Sequence, residues 1–408
     1  MSTIRLYQTN RYLTETTAVV TDIRTAEGMD SVATDRSVFF PPGGGQPGDT
    51  GTISLNGYAY QVDSVSDDGS GSDIWHDTDA PAGTFSVGDT VTLAIDWSRR
   101  FCNMQRHLGE HMLSGTMHTL FGGVNRGFHM GEEYITIDID LDGRMLTDEE
   151  LDLAERTVND AIWADLPVTV TCYDTYEDSL VMPVRKAVPH EGKVWVVTVG
   201  DPDDPYDCIA CCGTHPASSS EVGLLAIYKC EPNKGMNRIF FDCGSMARDK
   251  LAGDSRLLSE IAKRYSCSAA SLISRLDGEA EAQAAMRARL SALTSYVKDA
   301  EKARMISEID ASGGRSYIYT SELLTVDDLL KLGFSVIEET PDMLLILMHP
   351  ESNTCLLFSS GDVRCGKYIK EHAPEFGGRG GGRDDNARAV FASTSDMRRF
   401  ASALAEML

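Results

Sequence analysis

Two pairs of residues in this 408-residue chain have the types and the spacing of metal ligands. His107 and His111 stand four residues apart in RHLGEHML, so in a helix both imidazoles project from one face, about one turn apart. Cys211 and His215 stand four residues apart in CCGTH, where a glycine allows a tight turn. Nitrogen and thiolate ligands together suit zinc, which prefers four of them in a tetrahedron. We therefore predict one zinc ion bound by these four side chains.

Two alternatives to this site remain open. HLGEH also has the HxxEH pattern of inverted zinc peptidases, in which the glutamate, here Glu110, is the general base. Those enzymes usually take a carboxylate as the third ligand, whereas the downstream candidates here are a cysteine and a histidine. Cys208 or Cys212 can also replace Cys211, and Cys208 with Cys211 forms a CxxC pair that can bind metal or be redox-active. We favour Cys211 because it repeats the four-residue spacing to His215.

Hydrophobic periodicity predicts the elements that position these residues. Residues 1–98 contain short β-rich runs separated by Gly, Asp and Ser, which predicts a β-barrel-like domain. From Cys102 to Leu120 the apolar spacing becomes that of a helix. Further strands and one amphipathic helix follow, and residues 201–215, rich in Pro, Asp and Cys, are predicted to form a loop.

The remainder of the chain changes pattern twice. Residues 245 to about 307 are rich in alanine and charge, which predicts a long helix that bridges or partly coils rather than lying in a core. From about 309 onwards strands and helices alternate, as in an α/β domain. The fold class predicted for the whole chain is therefore α+β.

Composition restricts the classes of partner. The formal net charge of −25 disfavours nucleic acid, because affinity for phosphate comes mainly from Lys and Arg, so any RNA contact requires a local basic surface. No apolar run is long enough for a membrane span, and the first residues lack a secretory signal pattern. The ten cysteines are then expected to be thiols or metal ligands, and the protein to be cytoplasmic.

Four segments in order resemble a known family, the stand-alone alanyl-tRNA editing proteins (AlaX family, long form), which are related to the editing half of alanyl-tRNA synthetase. The segments are FFPPGGGQPGDTG at 39–51, MQRHLGEHMLSG at 104–115, CCGTHPASSSEVG at 211–223 and GGRGGGRDDNA at 377–387. The last is similar to the glycine-rich signature of the DHH-associated RNA-binding domain. With DWSRR and NKGMNRIFF, the resemblance spans almost the whole chain.

The resemblance implies hydrolysis of the ester that joins a wrong amino acid, usually serine and sometimes glycine, to tRNA(Ala). It implies zinc, which either positions the substrate or lowers the pKa of a bound water. The domains implied are a β-barrel-like domain at 1–98, an editing domain at 99–248, a helical linker or oligomerisation segment at 249–308 and a DHH-associated domain at 309–408. A homodimer is the expected assembly. A non-catalytic tRNA-binding protein with structural zinc remains an alternative.

Further site residues follow from the same segments. Glu110 is either a general base or a solvated helix carboxylate, and Gln46 and Asp49 are the side chains of interest beside the glycine loop. Backbone contacts to the terminal adenosine or the ester are expected from Gly43, Gly44 and Gly45, and RNA contacts from Gly378, Arg379, Gly380, Gly381, Gly382 and Arg383. Additional phosphate contacts or plain surface charges are expected at Arg99, Arg100, Arg106, Lys234 and Arg238.

Overall fold

The structure, a computed structural model, describes residues 2–67, 72–185 and 192–407. The chain divides into two compact units, Met1–Ile261 and Ala262–Leu408. The first unit begins with the strands β1 (Ile4–Arg5), β2 (Glu15–Ala26), β3 (Met29–Thr34), β4 (Arg36–Ser37), β5 (Gly51–Leu55), β6 (Tyr58–Asp67), β7 (Ile74–Pro81) and β8 (Thr90–Ile95). Six of these strands close into a barrel in the order β2-β3-β7-β6-β5-β8.

Tight turns and alternating side chains explain the barrel. Asn56 and Gly57 both have positive φ between β5 and β6, the conformation of a two-residue hairpin turn that matches the twist of its strands. Apolar residues on alternate positions face inward and form a buried core that includes Val20, Val32 and Leu93. The β-barrel-like expectation for this region is confirmed.

The rest of the first unit mixes helices and antiparallel strands around one long helix. Its elements are α1 (Trp97–Phe121), β9 (Val124–Met130), β10 (Ile135–Asp140), α2 (Asp148–Trp163), β11 (Val168–Tyr173), α3 (Tyr176–Ser179), β12 (Val194–Asp201), β13 (Asp204–Ala210), β14 (Leu225–Asn233), β15 (Met236–Cys243) and α4 (Gly244–Arg264). One sheet has the order β14-β15-β10-β9 and a smaller one β11-β12-β13. Helix α1 packs against strands of both sheets.

Helix α1 extends beyond the predicted 102–120 at both ends. Asp96 caps it by accepting a hydrogen bond from the Arg99 amide (3.1 Å), and it ends at Gly122, whose φ of 70° allows the left-handed C-cap. Leu108, Met112 and neighbouring apolar residues bury one face of the helix in the core of the unit. Most of the other side chains between Arg100 and Met117 are buried too, so the unit encloses the helix where the candidate ligands lie.

The prediction of a loop over residues 201–215 is wrong for its middle part. Residues 204–210 form β13, which pairs antiparallel with β12 so that Cys208 lies opposite Thr198. The turn-forming Pro202 and Asp203 connect the two strands, and the Asp203 amide donates to the Asp201 carboxylate (3.0 Å). The turn-forming residues at the start of the segment led to the prediction of a loop. Strand β13 is stabilised by its pairing with β12 and not by its own composition.

The second unit is a sheet covered by helices on both faces. Its elements are α5 (Leu272–Ser312), β16 (Ser316–Thr320), α6 (Val326–Ile337), β17 (Leu344–His349), β18 (Thr354–Ser359), α7 (Cys365–His372), β19 (Arg379–Gly382), β20 (Asn386–Val390) and α8 (Thr394–Glu406). The strand order is β16-β17-β18-β20-β19, with β16 and β17 parallel and the other pairs antiparallel. Alternate residues of β17 pack toward α5 and α6 or toward α7 and α8, which explains its continuous apolar sequence.

The overall class is mixed α+β with a closed six-stranded barrel, as predicted. The finer division into four domains stays a prediction. Over residues 2–67, 72–185 and 192–407, every helix is too short or too polar to cross a membrane.

Candidate metal centre

The two predicted ligand pairs lie together in the first unit. His107 and His111 come from α1, and Cys211 and His215 from the segment that follows β13. One potential ligand atom from each of the four residues lies within 4.8 Å of all the others. The three imidazole centroids are 4.6 to 4.9 Å apart. The helical spacing of the first pair and the tight turn of the second thus bring four nitrogen and sulfur donors to one point.

Gln46 determines which nitrogen of His107 faces this point. The Gln46 Oε1 lies 2.9 Å from His107 Nδ1 and accepts a hydrogen bond from the Thr214 amide (3.0 Å), while Gln46 Nε2 donates to Thr214 Oγ1 (2.8 Å). An oxygen acceptor at Nδ1 favours the tautomer with its proton there, which leaves Nε2 as the metal-binding lone pair. His107 Nε2 lies 3.4 Å from Cys211 Sγ. The buried Gln46 side chain therefore contacts a ligand and the ligand loop, and orients both.

Gly213 allows the ligand loop to approach His107. A Cβ at Gly213 would overlap the imidazole of His107. From the sequence, this glycine indicated only a tight turn. The structure gives a second reason for glycine here, because the loop packs so closely on the His107 ring that no side chain fits between them.

The structure distinguishes the three neighbouring cysteines. Cys211 belongs to the four-residue cluster. Cys208 is buried on β13 with its Sγ 3.7 Å from Thr198 Oγ1, and Cys212 is exposed and packs against the glycine turn at Gly43 and Gly44. The cluster thus contains Cys211, the cysteine that the four-residue spacing to His215 favoured.

The donor set fits a metal cation. Burial lowers the pKa of His107 to about 3 and lowers the pKa values of His111 and His215, so the imidazoles are neutral, as metal ligands must be. Among the residues that the structure describes, both ring nitrogens of His111 and of His215 are buried and have no hydrogen-bond partner. Orphaned buried nitrogens are costly, and a cation shared among them would satisfy them. Burial also raises the pKa of the Cys211 thiol, an effect that a bound cation reverses.

A cavity of about 310 Å³ opens onto the cluster. It is lined by His107, His111 and Cys211 together with Gly44, Glu110, Asn125, Arg126, Gly127, Phe128, Arg185, Ile209, Ala210 and Cys212. A cavity of this size has room for a small ligand beside the donors.

Glu110 is not the solvated helix carboxylate that was one of the two expectations for it. The residue is 6% exposed and lines the cavity. Its Oε1 accepts hydrogen bonds from Ser114 Oγ (2.7 Å) and Asn125 Nδ2 (2.8 Å). Burial raises the pKa of Glu110 to about 7, an increase that these two donors and Arg185 oppose.

Sequence reasoning missed an ion pair in the wall of the cavity. Arg185 donates to both carboxylate oxygens of Asp207 (2.7 and 3.3 Å), and its amide donates to the Cys208 carbonyl (2.8 Å). Asp207 is buried against α1, where only a glycine, Gly115, fits beneath it. No motif links these residues, because their proximity depends on the contact of residue 185 with β13, 22 residues further along the chain.

The glycine loop forms a tight turn beside the cluster. Gly43 and Gln46 exchange backbone hydrogen bonds (3.0 and 3.1 Å), and Gly44 and Gly45 have positive φ. A Cβ on Gly45 would overlap the ring of Phe128. Gly44 lines the cavity, so part of this turn faces the place where a ligand fits.

Three charged residues expected at the surface or at a ligand are instead buried in ion pairs. Asp49 accepts from the Phe40 amide (2.7 Å) and pairs with Arg100 of α1, which also donates to the Val38 carbonyl (2.8 Å). Arg106 donates to both oxygens of Asp242 on β15 (2.8 and 2.9 Å). These pairs attach α1 to the barrel segment and to the sheet, which excludes Arg100 and Arg106 as surface charges or phosphate contacts.

The other expected phosphate contacts remain at the surface. Arg99 is exposed, Lys234 occupies a turn with positive φ, and Arg238 donates to both oxygens of Asp138 (2.8 Å each). Their role toward phosphate stays a prediction.

The C-terminal glycine run forms an edge strand. Arg379–Gly382 forms β19, which pairs with β20. A Cβ on Gly380 would overlap the Arg388 carbonyl oxygen, and one on Gly382 would overlap Ala387. Close packing therefore accounts for these glycines, whereas the side chains of Arg379 and Arg383 are exposed.

Two family models match this chain. One, described as tRNA synthetases class II (A), matches residues 5–99, and the other, described as the threonyl and alanyl tRNA synthetase second additional domain, matches residues 194–240, which include Cys211 and His215. The alanyl-tRNA editing protein AlaX-L of Pyrococcus horikoshii is 29% identical over 397 residues, covering 94% of this chain and 93% of that protein. The chain is a homologue of the AlaX-type alanyl-tRNA editing proteins. The resemblance noted from four motifs is thereby confirmed.

Other relatives are matched over less than half of their own length. An alanyl-tRNA editing protein of Mus musculus is 34% identical over 206 residues, 50% of this chain and 46% of that protein. The alanine–tRNA ligase of Caldivirga maquilingensis is 28% identical over 88% of this chain, which spans 40% of the ligase. The crystal structure of RecJ with manganese from Thermus thermophilus matches 37% of this chain and 27% of that chain with TM-score 0.25 and 14% identity, too low to indicate a shared fold.

Proposed function

We propose that this chain is a zinc-dependent, trans-acting deacylase that hydrolyses tRNA(Ala) carrying a wrong amino acid, serine first and glycine second. It acts in the cytoplasm, where charged tRNA is used. Hydrolysis adds water across the ester, and it releases the amino acid and the free end of the tRNA. Similarity to AlaX-L along 93% of that protein supports the class of reaction.

The observation that carries this proposal is the donor cluster at the cavity. His107, His111, Cys211 and His215 supply four converging donors, and the cavity beside them suits a small aminoacyl group. An ester of this kind is already activated, so a catalyst needs chiefly to position it and to stabilise charge on the carbonyl oxygen.

In this proposal the four side chains hold zinc, which when bound supplies a Lewis acid for the ester carbonyl or for water. Gln46 acts as a positioning residue, because it fixes the ring of His107 and the amide of Thr214. Gly44 presents backbone to the ligand in the cavity, and Glu110 contacts the aminoacyl group there. The buried surroundings strengthen each of these electrostatic contacts.

The two alternative functions receive less support. The inverted peptidase needs a carboxylate ligand, whereas in the described ranges 2–67, 72–185 and 192–407 a cysteine and a histidine join His107 and His111. A purely structural zinc in a tRNA-binding protein does not account for the cavity that exposes the cluster to a ligand.

For RNA contact we propose the β19 edge of the second unit. Arg379 and Arg383 are exposed there, and Arg388, opposite Gly381 on β20, is exposed on the same face as Arg379. Arginine suits phosphate oxygens, and contacts to them give binding that weakens as salt is added. This local group of cations would offset the overall charge of −25 at one place.

For assembly we propose a homodimer through α5. Met286, Leu290 and Leu293 are spaced by four and three residues, which places them in one stripe, and their exposed fractions are 71%, 64% and 53%. A second copy of the same helix would bury this stripe. Sedimentation of the wild type and of a Leu290→Lys, Leu293→Lys variant tests it, with a dimer expected for the first and a monomer for the second.

The direct test of the proposed reaction is hydrolysis of tRNA(Ala) charged with serine, glycine or alanine by the zinc-loaded protein. We expect rapid release of serine, slower release of glycine and sparing of Ala-tRNA(Ala). Equal rates for all three, or none above the uncatalysed rate, would contradict the proposal. A peptide substrate in the same buffer measures the alternative peptidase activity.

A further inference from the structure

The two oxygens of the Glu110 carboxylate have different surroundings. Oε1 is fixed by Ser114 and Asn125 through hydrogen bonds of 2.7 and 2.8 Å. Oε2 lies 3.8 Å from His111 Nδ1, beyond hydrogen-bond distance, and no other donor in the part of the chain that the structure describes bonds to it. Because Glu110 lines the cavity, a carboxyl oxygen of this residue without a donor is an acceptor available to a ligand.

The other charged residues of the cavity wall have carboxylate partners. Arg185 pairs with Asp207 through two hydrogen bonds, and Arg126 pairs with Asp140 (3.2 Å). His111, as a metal ligand, carries no extra proton to compensate Glu110. The cavity therefore presents one carboxyl oxygen without a donor, Oε2 of Glu110, beside the cluster where the ester carbonyl is held in the proposed function. An ammonium group bound at this oxygen favours the ionised carboxylate.

An aminoacyl ester carries its cation at a fixed place relative to its carbonyl. The ammonium nitrogen is bonded to the carbon next to the carbonyl carbon, so a carbonyl held at the cluster brings the ammonium group close to it as well. Glu110 directly precedes the candidate ligand His111 and lines the same cavity, so its free oxygen lies at this range.

We propose that Glu110 Oε2 accepts a charge-assisted hydrogen bond from the α-ammonium group of the substrate, and that this contact makes the site specific for aminoacyl esters. This inference rests on the proposed function. Glu110 is then a binding and specificity residue rather than a general base. Esters of α-hydroxy acids, and esters whose nitrogen is acylated as in peptidyl-tRNA, lack the cation, so a hydrogen bond that they donate to the carboxylate is not strengthened by opposite charge.

Two other roles for Glu110 predict different behaviour. A general base would serve every ester equally, whether or not the substrate carries an ammonium group. A carboxylate that orients His111 would chiefly affect metal affinity, although the 3.8 Å separation is too long for that hydrogen bond.

The test compares Ser-tRNA(Ala) with its deaminated counterpart, in which a hydroxyl replaces the ammonium group. Rates are divided by the uncatalysed rate of each ester, and zinc content is measured for every protein. The proteins are the wild type, Glu110→Gln, which keeps the acceptor for Ser114 and Asn125, and Glu133→Gln, a matched change of an exposed glutamate.

We expect the wild type and Glu133→Gln to prefer the seryl ester by about 10- to 100-fold in kcat/KM, the range of a hydrogen bond between charged groups. Glu110→Gln should lose that factor on the seryl ester, keep its rate on the hydroxy ester within about two-fold, and retain zinc. Equal losses on both esters, loss of zinc, or a wild type without preference would overturn the inference. Failure of the wild type on both esters would instead contradict the proposed function.

Discussion

At the scale of single residues, Cys211 and Cys212 are adjacent but differ in their surroundings. Cys211 Sγ lies 3.4 Å from His107 Nε2 within the donor cluster, whereas Cys212 is exposed. We expect Cys211→Ser to lower zinc affinity by more than about 100-fold, beyond the 10- to 100-fold typical of residues that only orient ligands. Cys212→Ser is the matched control and should bind one zinc ion per chain.

Titration with a chromogenic zinc chelator measures both variants. Undiminished zinc affinity in Cys211→Ser, or its loss in Cys212→Ser, would show that the ligand set is wrong.

The ligands could be predicted from sequence because each pair is local. A four-residue spacing in a helix, or across a tight turn, determines relative position without knowledge of the fold. The residues around them could not be predicted in this way. Asn125 and Arg185 belong to no motif, and Gln46 was indicated only by the resemblance. The three residues reach the site from separate segments, and only the assembled unit brings them together.

At the scale of elements, the turn at Gly43–Gln46 allows the cost of a steric overlap to be separated from the cost of backbone strain. Gly45 and Gly57 have nearly equal φ values of 80° and 84°. A Cβ on Gly45 would overlap Phe128, while one on Gly57 meets no atom of the described residues within 4 Å. We expect Gly57→Ala to lower the free energy of unfolding by about 1 kcal/mol from strain. Gly45→Ala should lose about 1–3 kcal/mol more from overpacking.

Urea unfolding followed by tryptophan fluorescence measures the difference, because all four tryptophans lie within the first unit. Equal stability of the two variants would mean that Gly45 does not pack against Phe128 as described.

The edge strand β19 contains glycines of two kinds, those where a side chain would overlap the neighbouring strand and those where a side chain has room. A Cβ on Gly380 would overlap the backbone of β20, whereas at Gly381 the nearest atom is Lys370 Cε at 3.8 Å. We expect Gly380→Ala to destabilise the second unit by about 2 kcal/mol or more, and Gly381→Ala to change its stability by less than about 1 kcal/mol. Hydrogen exchange of β20 amides reports both changes. Protection that is lost equally in the two variants would contradict this account of the strand.

A long helix with a regular apolar spacing could be predicted from the sequence, whereas short strands that are stabilised by pairing with a neighbouring strand could not. The apolar spacing between Cys102 and Leu120 predicted α1 because a helix makes its hydrogen bonds within itself. Strands β13 and β19 make theirs with β12 and β20. The residues of β13 include Pro and Asp, which favour turns, so composition predicted a loop there, and the glycines of β19 do not favour a strand either.

At the scale of the whole molecule, His76 in the barrel links stability to pH. Burial lowers its pKa to about 4, and its ring nitrogens lie 2.8 Å from Ser37 Oγ and 2.9 Å from the Val32 carbonyl. The unfolded pKa is about 6.5, so the folded state resists protonation. Its contribution is complete above pH 6.5 and is lost as the pH falls toward 4, by about 2 kcal/mol between pH 7 and pH 5.

The measurement is the free energy of unfolding of the wild type and of His76→Gln at both pH values. We expect the wild type to be the more stable at pH 7, and this advantage to shrink at pH 5, since glutamine does not titrate. Other titrating groups contribute equally to the two proteins and cancel in the comparison. A difference independent of pH would contradict the lowered pKa.

The central claim is that four side chains hold a metal ion on which deacylation of mischarged tRNA depends. Its most direct test measures hydrolysis of Ser-tRNA(Ala) by one preparation as isolated, after removal of metal by a chelator, and after addition of one equivalent of zinc. We predict that metal removal lowers the rate by more than about 100-fold and that zinc restores it, with circular dichroism showing a folded protein throughout. Full hydrolysis by the folded, metal-free protein would contradict the account.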